Sequence, residues 1–189
     1  MVDDTRNRLI ESALSLLRDE GLDAVTLRAV GELAGLSRMA PYRHFADKTA
    51  LLAALAARVI TDLSTHVAAA VLAHTGHQER LRAFYDSYVE YAADHREEYR
   101  LVFASTFSAG DHPEMEQALD DVMSALSLDV ADHEPVNKAA MMALMATAHG
   151  LAELVTAGHF AHKQISRRDV IDVIIEGTGR RGRAGESGP

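Results

Sequence analysis

Hydrophobic residues recur along the chain three or four positions apart, which is the spacing of amphipathic α-helices, and no segment shows convincing β alternation. The first such pattern covers residues 4–20 and stops at Gly21. A longer apolar stripe starts after Asp47, a residue suited to the N-cap of a helix, and continues to about residue 71. Shorter amphipathic segments follow up to about residue 176. The pattern therefore predicts an all-α fold.

Residues 26–48 contain two short helical patterns separated by a glycine. The first pattern begins at Thr26 and would bury Leu27 and Val30. Gly35 lies where a reversal of the chain requires a positive φ, and Ser37 has the hydroxyl of a good N-cap for the second helix. Together with the helix before them, these segments predict a helix-turn-helix head of three helices.

The second short helix is rich in side chains that donate hydrogen bonds to phosphates or base edges: Arg38, Tyr42, Arg43, His44 and, just beyond it, Lys48. Such residues are usually solvated surface groups, but their concentration on a helix-turn-helix favours contact with DNA. Phe45 is expected in the core instead. The segment therefore predicts a surface that binds double-stranded DNA.

The order of Thr26, Arg28, residues 34–37 (Ala-Gly-Leu-Ser), residues 42–45 (Tyr-Arg-His-Phe) and Lys48 resembles the DNA-binding domain of the TetR family of bacterial transcriptional regulators. The similarity covers roughly residues 5–60. It implies an N-terminal helix-turn-helix head joined by a long helix to a larger helical domain for ligand sensing and dimerisation. We accordingly predict a DNA-binding domain at 1–47, a ligand-binding and dimerisation domain at 48–176, and a disordered tail at 177–189.

The resemblance also implies roles for individual residues. Four would hold phosphates and position the head: Thr26, Tyr42, His44 and Lys48. Four are candidates for base edges, because arginine pairs bidentately with guanine: Arg28, Arg38, Met39 and Arg43. Residues 40–41 (Ala-Pro) depart from the family pattern, in which an aliphatic residue usually precedes the Tyr. Proline at the fourth helical position removes one early backbone hydrogen bond, so we expect the helix to survive.

The later helices bring together aromatic and Met residues with a few polar groups, a combination that suits a small apolar or aromatic ligand. The candidates for ligand binding are Phe84, Tyr88, Tyr91, Tyr99, Phe103, Phe107, Met115, Met142, Met145 and His149. Each of them is, taken singly, more often an ordinary core residue. The family resemblance supports a pocket among these helices without selecting the residues that line it.

The last two predicted helices, one rich in Ala and one in Ile and Val, suit a homodimer interface, and in the family these helices commonly form a four-helix bundle with those of the partner. A dimer would place two recognition helices in successive major grooves, about 34–36 Å apart, on a roughly palindromic operator. Ligand binding would favour a conformation in which the heads no longer match this spacing. The resemblance therefore implies a repressor that a ligand releases.

Composition modifies this picture in three ways. The net charge of −9 argues against DNA binding at first sight, but residues 26–48 carry a local charge of +2, from four basic and two acidic residues. The absence of cysteine excludes disulfides and thiolate metal sites. No signal peptide is recognisable at residues 1–8, and no segment looks long and apolar enough to span a bilayer, so we expect a cytoplasmic protein without a membrane partner.

Three other functions remain open at this point. An enzyme or metalloprotein is suggested only by His pairs at positions 74 and 77 and at 159 and 162, which lack an evident third ligand, so we expect no metal, cofactor or catalytic residues. A constitutive dimeric DNA-binding protein without a ligand would have the same sequence features. A helical protein–protein module would show no salt-dependent affinity for DNA.

Overall fold

The computed structural model describes residues 2–103, 112–130, 138–161 and 164–183. In this part of the chain all regular secondary structure is helical, and a 3₁₀ turn at Leu22–Ala24 accompanies the α-helices. The helices, in chain order, are α1 (Val2–Glu20), α2 (Leu27–Leu33), α3 (Ala40–His44), α4 (Lys48–Leu72), α5 (His77–Asp94), α6 (Arg96–Phe103), α7 (Pro113–Val130), α8 (Lys138–Thr156) and α9 (Arg167–Arg183). The prediction of an all-α fold is confirmed.

The chain forms two compact units, each with its own buried core. Unit 1 consists of Met1–Asp62 and His95–Val122, and unit 2 of Leu63–Asp94 and Met123–Pro189, within the described residues. Helices α4 and α7 contribute residues to both units. Because α6 belongs to unit 1, this packing unit is larger than the head predicted at residues 1–47.

In unit 1 the apolar face of α1 forms the centre of the core. Six apolar side chains of α1 are buried: Leu9, Ile10, Ala13, Leu14, Leu16 and Leu17. The first half of α4 and the side chains of Tyr99 and Leu101 from α6 are buried in the same unit. Such continuous burial provides most of the stability of short helices, which are marginal by themselves.

A buried carboxylate also holds α6 to α1. The Glu98 side chain is only 2% exposed, and its Oε1 accepts a hydrogen bond of 2.7 Å from Arg18 Nε. Its Oε2 lies 2.7 Å from His95 Nδ1. An ionised group in the interior requires such partners, so these contacts explain how the polar head group of Glu98 is accommodated.

In unit 2, α5 packs against α8 and α9. Phe84, Tyr85 and Tyr88 of α5 are among the largest fully buried side chains, and Met141 of α8 and Ile171 of α9 are buried with them. Two ion pairs join α5 to α9, one between Arg82 and Asp172 and one between Arg167 and Asp86. The aromatic face of α5 is therefore the core of this unit.

Two expectations from the sequence need correction here. Helix α9 continues to Arg183, past Gly177, where the predicted disordered tail would begin, and residues 184–189 lie outside the described part. Glycine weakens a helix by about 1 kcal/mol but ends it only where the backbone leaves the helical region. Among the described glycines, only Gly21, Gly35 and Gly158 have a positive φ.

Two segments also have the length and composition of a membrane span, contrary to the expectation that none would: Lys48–Leu72 and Ala139–Thr156, each with a mean hydropathy of 1.3. The few charged residues that interrupt the apolar stripe of α4 do not lower its mean hydropathy enough to exclude it. Core helices of globular proteins satisfy the same test. In α8, only 22% of the tested window is buried, so most of an apolar helix is left for another surface to cover.

Candidate DNA-binding surface

Helix α2 begins at Leu27, with Thr26, where the sequence pattern places the start of the helix, as its N-cap. Thr26 has an extended backbone, with φ −127° and ψ 151°, and its hydroxyl oxygen accepts a hydrogen bond of 3.1 Å from the Ala29 N–H. Leu27 and Val30 of the same helix are buried. Because the Thr26 side chain is exposed and its hydroxyl hydrogen is not used by this cap, it can still donate to a phosphate oxygen.

The turn between α2 and α3 is a Schellman motif. Gly35 has φ +65°, its N–H donates to Glu32 O at 3.1 Å, and the Leu36 N–H donates to Gly31 O at 3.0 Å. Only glycine adopts this backbone conformation without steric cost. The prediction of a positive φ at Gly35 is confirmed.

A close approach between α2 and α3, which the sequence pattern does not reveal, sets their separation. A Cβ atom on Gly31 would lie 2.7 Å from Pro41 Cγ and 3.2 Å from Pro41 Cδ. Both residues are buried. The only sequence signal is a glycine in the interior of a short helix, a position where glycine is unfavourable unless something packs against it.

The predicted cap at Ser37 is wrong. Helix α3 begins at Ala40, and its N-cap position is Met39, which makes no side-chain capping bond. An α-helix capped by Ser37 would need the N–H of Pro41 to donate to the Ser37 carbonyl, and proline has no N–H. The Ala40 N–H donates to Ser37 O instead, at 2.9 Å, so residues 37–40 form a turn that precedes the helix.

The side chains predicted to contact bases lie on the surface of the head. Arg28, Arg38 and Arg43 are exposed, and Met39 is 60% exposed although it is apolar. Among the predicted phosphate contacts, Tyr42 is 49% exposed and His44 is half-buried. We call the set Thr26, Arg28, Ser37, Arg38, Met39, Tyr42, Arg43, His44 and Lys48 the predicted DNA-binding surface.

The opposite side of α3 is anchored on α1. Phe45 is 3% exposed, as predicted for a core residue, and the Arg6 guanidinium carbon lies 5.4 Å from the centre of its ring. Arg8 Nη2 donates to the carbonyl of Ala34, at the end of α2, over 2.7 Å. Helix α1 therefore fixes the orientation of both short helices of the head.

The start of α4 completes the head. Asp47 Oδ1 accepts a hydrogen bond of 2.8 Å from the Ala50 N–H, which confirms the predicted N-cap. Lys48 Nζ donates to Leu22 O, in the 3₁₀ turn, at 3.3 Å. The ammonium group has three donors, so Lys48 can hold this turn and still have hydrogens for a phosphate.

Arg28 and Glu32 form an ion pair on the exposed face of α2. Arg28 Nε donates to Glu32 Oε1 at 2.8 Å, and this hydrogen bond, followed by the charge of Glu32, raises the pKa of Arg28. Tyr42 of α3 is near enough to Arg28 to interact with it electrostatically. The structure therefore brings together predicted DNA contacts from two helices.

The residues predicted to bind a ligand are divided between the two units. In unit 2, Phe84, Tyr88 and Tyr91 are buried, and the rings of Phe84 and Tyr88 are 6.1 Å apart. In unit 1, Tyr99 is buried, with its ring 4.8 Å from that of Phe103, which is 43% exposed. The division means that these residues belong to more than one packing core.

The remaining ligand candidates differ in exposure. Met115, Met145 and His149 are half-buried, whereas Met142 is 60% exposed on the outer face of α8. Phe107 lies outside the described residues. The exposure of Met142 on a helix face is more typical of a residue in an interface than of one that lines a pocket.

Tyr85, which the sequence pattern did not single out, carries the most perturbed polar group in unit 2. Its side chain is 1% exposed, and burial raises its pKa to about 12, while a hydrogen bond with Thr147 of α8 opposes the rise. A neutral phenol in an apolar core is stable only when its hydroxyl finds a partner. The sequence pattern does not distinguish Tyr85 because Phe84 and Tyr88 define the same helix face.

Two open grooves occur in the described parts of the two units. One, of about 340 Å³ in unit 2, is lined mostly by polar residues between the end of α4 and α5, among them His74, Arg82 and Glu90. The other, of about 510 Å³ in unit 1, lies between α1, α4 and α7. Of the predicted ligand-binding residues that the structure describes, none lines either groove.

Large apolar side chains are exposed on α8 and α9 of unit 2. Leu154 is 46% exposed and Val173 is 69% exposed, in addition to Met142. Between Met142 and Leu154, the exposed positions of α8 include Ala143, Ala146 and Gly150, whose small side chains permit close approach of another helix. No group of three or more His, Asp or Glu side chains placed to hold a metal ion occurs within the described ranges.

Two family models match the chain. Residues 9–55 match the model described as bacterial regulatory proteins, tetR family. Residues 81–177 match the model described as tetracyclin repressor-like, C-terminal domain. The two matches together include the helix-turn-helix and most of the helices that follow it.

Similar proteins of known class are transcription regulators. The activator FasR of Mycolicibacterium smegmatis is 28% identical over 105 residues, which cover 56% of this chain and 48% of FasR. The class A tetracycline repressor of Escherichia coli is 42% identical over 60 residues, which cover 32% of this chain and 28% of the repressor. The chain therefore spans half or less of these curated relatives.

Similar solved structures cover nearly the whole chain. A protein of unknown function from Rhodococcus sp. RHA1 is 26% identical, with a TM-score of 0.74 over 93% of this chain and 94% of that one. A TetR-family regulator from Streptomyces coelicolor has a TM-score of 0.64 at 18% identity, over 93% of this chain and 98% of that one, which shows the common fold. The chain belongs to the TetR family of bacterial regulatory proteins, which are DNA-binding transcriptional regulators.

Proposed function

We propose that this protein binds a roughly palindromic DNA operator as a homodimer and represses transcription until a small apolar or aromatic ligand releases it. The observation that carries the proposal is the predicted DNA-binding surface, where arginine, tyrosine and methionine side chains project from a head whose opposite side is buried. Such groups contact phosphates and base edges in a major groove.

Within this surface, the geometry supports a division of roles. Thr26 and Lys48 are each held by one hydrogen bond to the backbone of the head, so they would grip phosphates at fixed points. Arg38 and Arg43 extend freely from the region of α3 and would reach base edges, as would Arg28 from α2. Met39 has no strong donor and would contact the methyl group of a thymine.

The dimer would form through α8 and α9. Their exposed Met142, Leu154 and Val173 would be buried against the same residues of a second copy, in an isologous interface. The small residues of α8 would let the two copies of this helix approach closely. Two heads are needed because one short recognition helix reads too few base pairs for a specific site.

The sensor would lie among the helices matched by the C-terminal family model, where the aromatic face of α5 provides apolar surface and the Tyr85–Thr147 pair provides a polar contact. One relative is named a tetracycline repressor protein, and the proposal extends control by a small molecule to this chain by analogy with that name. Ligand binding would shift the population of dimers away from the spacing that matches DNA.

A second candidate function is activation, which the similarity to the activator FasR favours. A constitutive DNA-binding dimer is the third. A reporter gene placed behind the operator separates these functions: repression lowers its expression, activation raises it, and a constitutive protein responds to no ligand. Thermal stabilisation by members of a panel of apolar and aromatic compounds would show ligand binding directly, since a ligand of the native state raises Tm.

The first experiment selects binding sites for the full-length protein from a random DNA library and measures their affinity across a salt series. We expect a two-fold symmetric site, and an affinity that falls steeply with salt as phosphates are neutralised. Arg43→Ala should weaken binding to the selected site, whereas Arg100→Ala removes the same charge from α6 and should not. Failure to enrich any sequence at low salt would refute the proposal.

A further inference from the structure

The Arg28–Glu32 pair has a geometry that restricts how Arg28 can meet DNA. The two residues lie one helical turn apart on α2, and their side chains are 67% and 66% exposed. The Arg28 guanidinium uses its Nε hydrogen for the 2.8 Å bond to Glu32 Oε1. Its Nη1 and Nη2 hydrogens have no hydrogen-bond acceptor among the described residues, so they form the edge that faces outward.

This free edge fits one base in particular. A guanidinium presents its donors in a planar fork, and two parallel donors match O6 and N7 of guanine in the major groove. A mobile arginine offers several donor pairs and also reaches phosphates. Once Nε is occupied by Glu32, the Nη1 and Nη2 pair remains, already oriented before DNA arrives, so less side-chain freedom is lost on binding.

The negative charge of Glu32 fits a role in discrimination between bases rather than in affinity for DNA. A carboxylate on a surface that meets phosphates opposes binding to any DNA sequence. Residues 26–48 carry a local charge of +2, and Glu32 is one of the two acidic residues that keep it from being higher. A surface selected for affinity alone would do better without Glu32.

We propose that Glu32 is a positioning residue that holds Arg28 for bidentate contact with a guanine, and that it lowers non-specific affinity in exchange for base discrimination. The operator half-site accordingly contains a G·C pair at the position read by Arg28. This inference rests on the proposed function, because it requires that the predicted DNA-binding surface meets an operator.

The test uses the full-length protein and the site selected from random DNA. Binding is measured for that site, for sites in which each G·C pair is replaced by A·T, and for unrelated DNA. At one position, replacement of the G·C pair should lower the affinity of the wild type roughly 5- to 150-fold, the range for one bidentate contact. Replacing that guanine by 7-deazaguanine, which lacks the N7 acceptor, should lower the affinity in the same direction.

Three variants separate positioning from other roles. Glu32→Ala should reduce the discrimination at that position and tighten binding to unrelated DNA. Glu32→Gln should keep most of the discrimination, because its amide oxygen still accepts from Arg28 Nε. Arg28→Ala should abolish the discrimination, and adding Glu32→Ala to it should change the discrimination no further, since Glu32 acts through Arg28.

The matched control is Glu97→Ala, which removes a carboxylate paired with Arg100 on α6 at 3.4 Å and should leave the discrimination unchanged. Full discrimination in Glu32→Ala, or an equal loss of affinity for selected and unrelated DNA, would overturn the inference and leave the proposed function standing. If the wild type selects no site, the proposed function fails, and the inference fails with it.

Discussion

Gly31 of α2 faces the ring of Pro41 of α3 so closely that a Cβ atom at residue 31 would lie 2.7 Å from Pro41 Cγ. Carbon atoms that are not bonded do not approach to this distance in folded proteins without displacement of one of them. The two residues together set the distance between the helices of the helix-turn-helix. Any larger side chain at residue 31 must push α3 away from α2.

We therefore expect Gly31→Ala to destabilise the head by about 1–3 kcal/mol, the usual cost of overpacking, and to weaken operator binding. In a Pro41→Ala background the same substitution should cost less, because the clashing ring is gone. Urea unfolding of the four proteins of this double-mutant cycle measures the difference. Gly177→Ala, at a helical glycine with open space around it, is the control and should not destabilise. Equal costs of Gly31→Ala in both backgrounds would contradict the close approach.

The buried Glu98 carboxylate provides a second prediction. Arg18→Ala should lower the free energy of unfolding by about 1–3 kcal/mol, because it leaves the buried Glu98 with His95 as its partner within the described ranges. Arg100→Ala removes the same charge from the more exposed pair with Glu97, and it should change stability by less than about 0.5 kcal/mol. Similar losses in both variants would show that Glu98 does not depend on Arg18.

The buried phenol of Tyr85 should make the stability of the protein depend on pH in the alkaline range. Its native pKa is raised to about 12 from an ordinary value of 10.0, so the unfolded chain loses the phenol proton first as the pH rises. The contribution of the protonated Tyr85 to the free energy of unfolding is therefore complete below pH 10. It is lost between pH 10 and 12, at up to about 1.4 kcal/mol per pH unit.

Tyr85→Phe has no phenol at this position, so its stability should fall less steeply than that of the wild type over this interval. At neutral pH it should cost about 0.5–1.5 kcal/mol, the value of the hydrogen bond with Thr147. Denaturant titrations of both proteins at pH 9 and pH 11.5 measure the two effects. Parallel pH profiles would mean that Tyr85 ionises as readily in the native state as in the unfolded state.

The exposed residues of α8 and α9 predict the interface of the proposed dimer. Leu154→Glu and Val173→Glu should each shift the protein from dimer to monomer in sedimentation equilibrium and reduce operator binding, since a buried unpaired charge is costly. Leu72→Glu changes an equally apolar, 61% exposed residue at the end of α4 and should leave the dimer intact. A dimer that persists in both variants would place the interface on another surface.

The sequence predicted those features of the head that depend on neighbours along the chain. The Asp47 cap and the positive φ of Gly35 each follow from one residue type at one position of a helix end. The sequence pattern places the start of α2 at Thr26 but does not predict the cap that this residue provides. The prediction of a cap at Ser37 is wrong because Pro41, which lacks a backbone N–H, belongs to the first turn of α3, whereas the sequence pattern places it at the fourth helical position.

Features that depend on distant partners were missed for a physical reason. Periodicity shows which face of a helix is buried, but not what the face packs against. Arg18 and Glu98 are 80 residues apart, and each alone looks like a solvated surface charge. The same limit applies to the ligand site, where Tyr88 or Tyr99 has the same spacing whether it lines a pocket or fills a core. Those assignments stay predictions.

Helices α2 and α3 have only seven and five residues, far fewer than the roughly 12–15 that an isolated helix needs for stability in water. Their shape is supplied by α1 and by the contact between Gly31 and Pro41. The helix-turn-helix segment should consequently not bind DNA by itself, because a peptide of residues 26–48 would be unstructured and would not compete for the operator. Because Gly31 and Pro41 together set the separation of α2 and α3, a larger residue at one of these positions has to be matched by a smaller one at the other if the base-reading side chains are to keep their places.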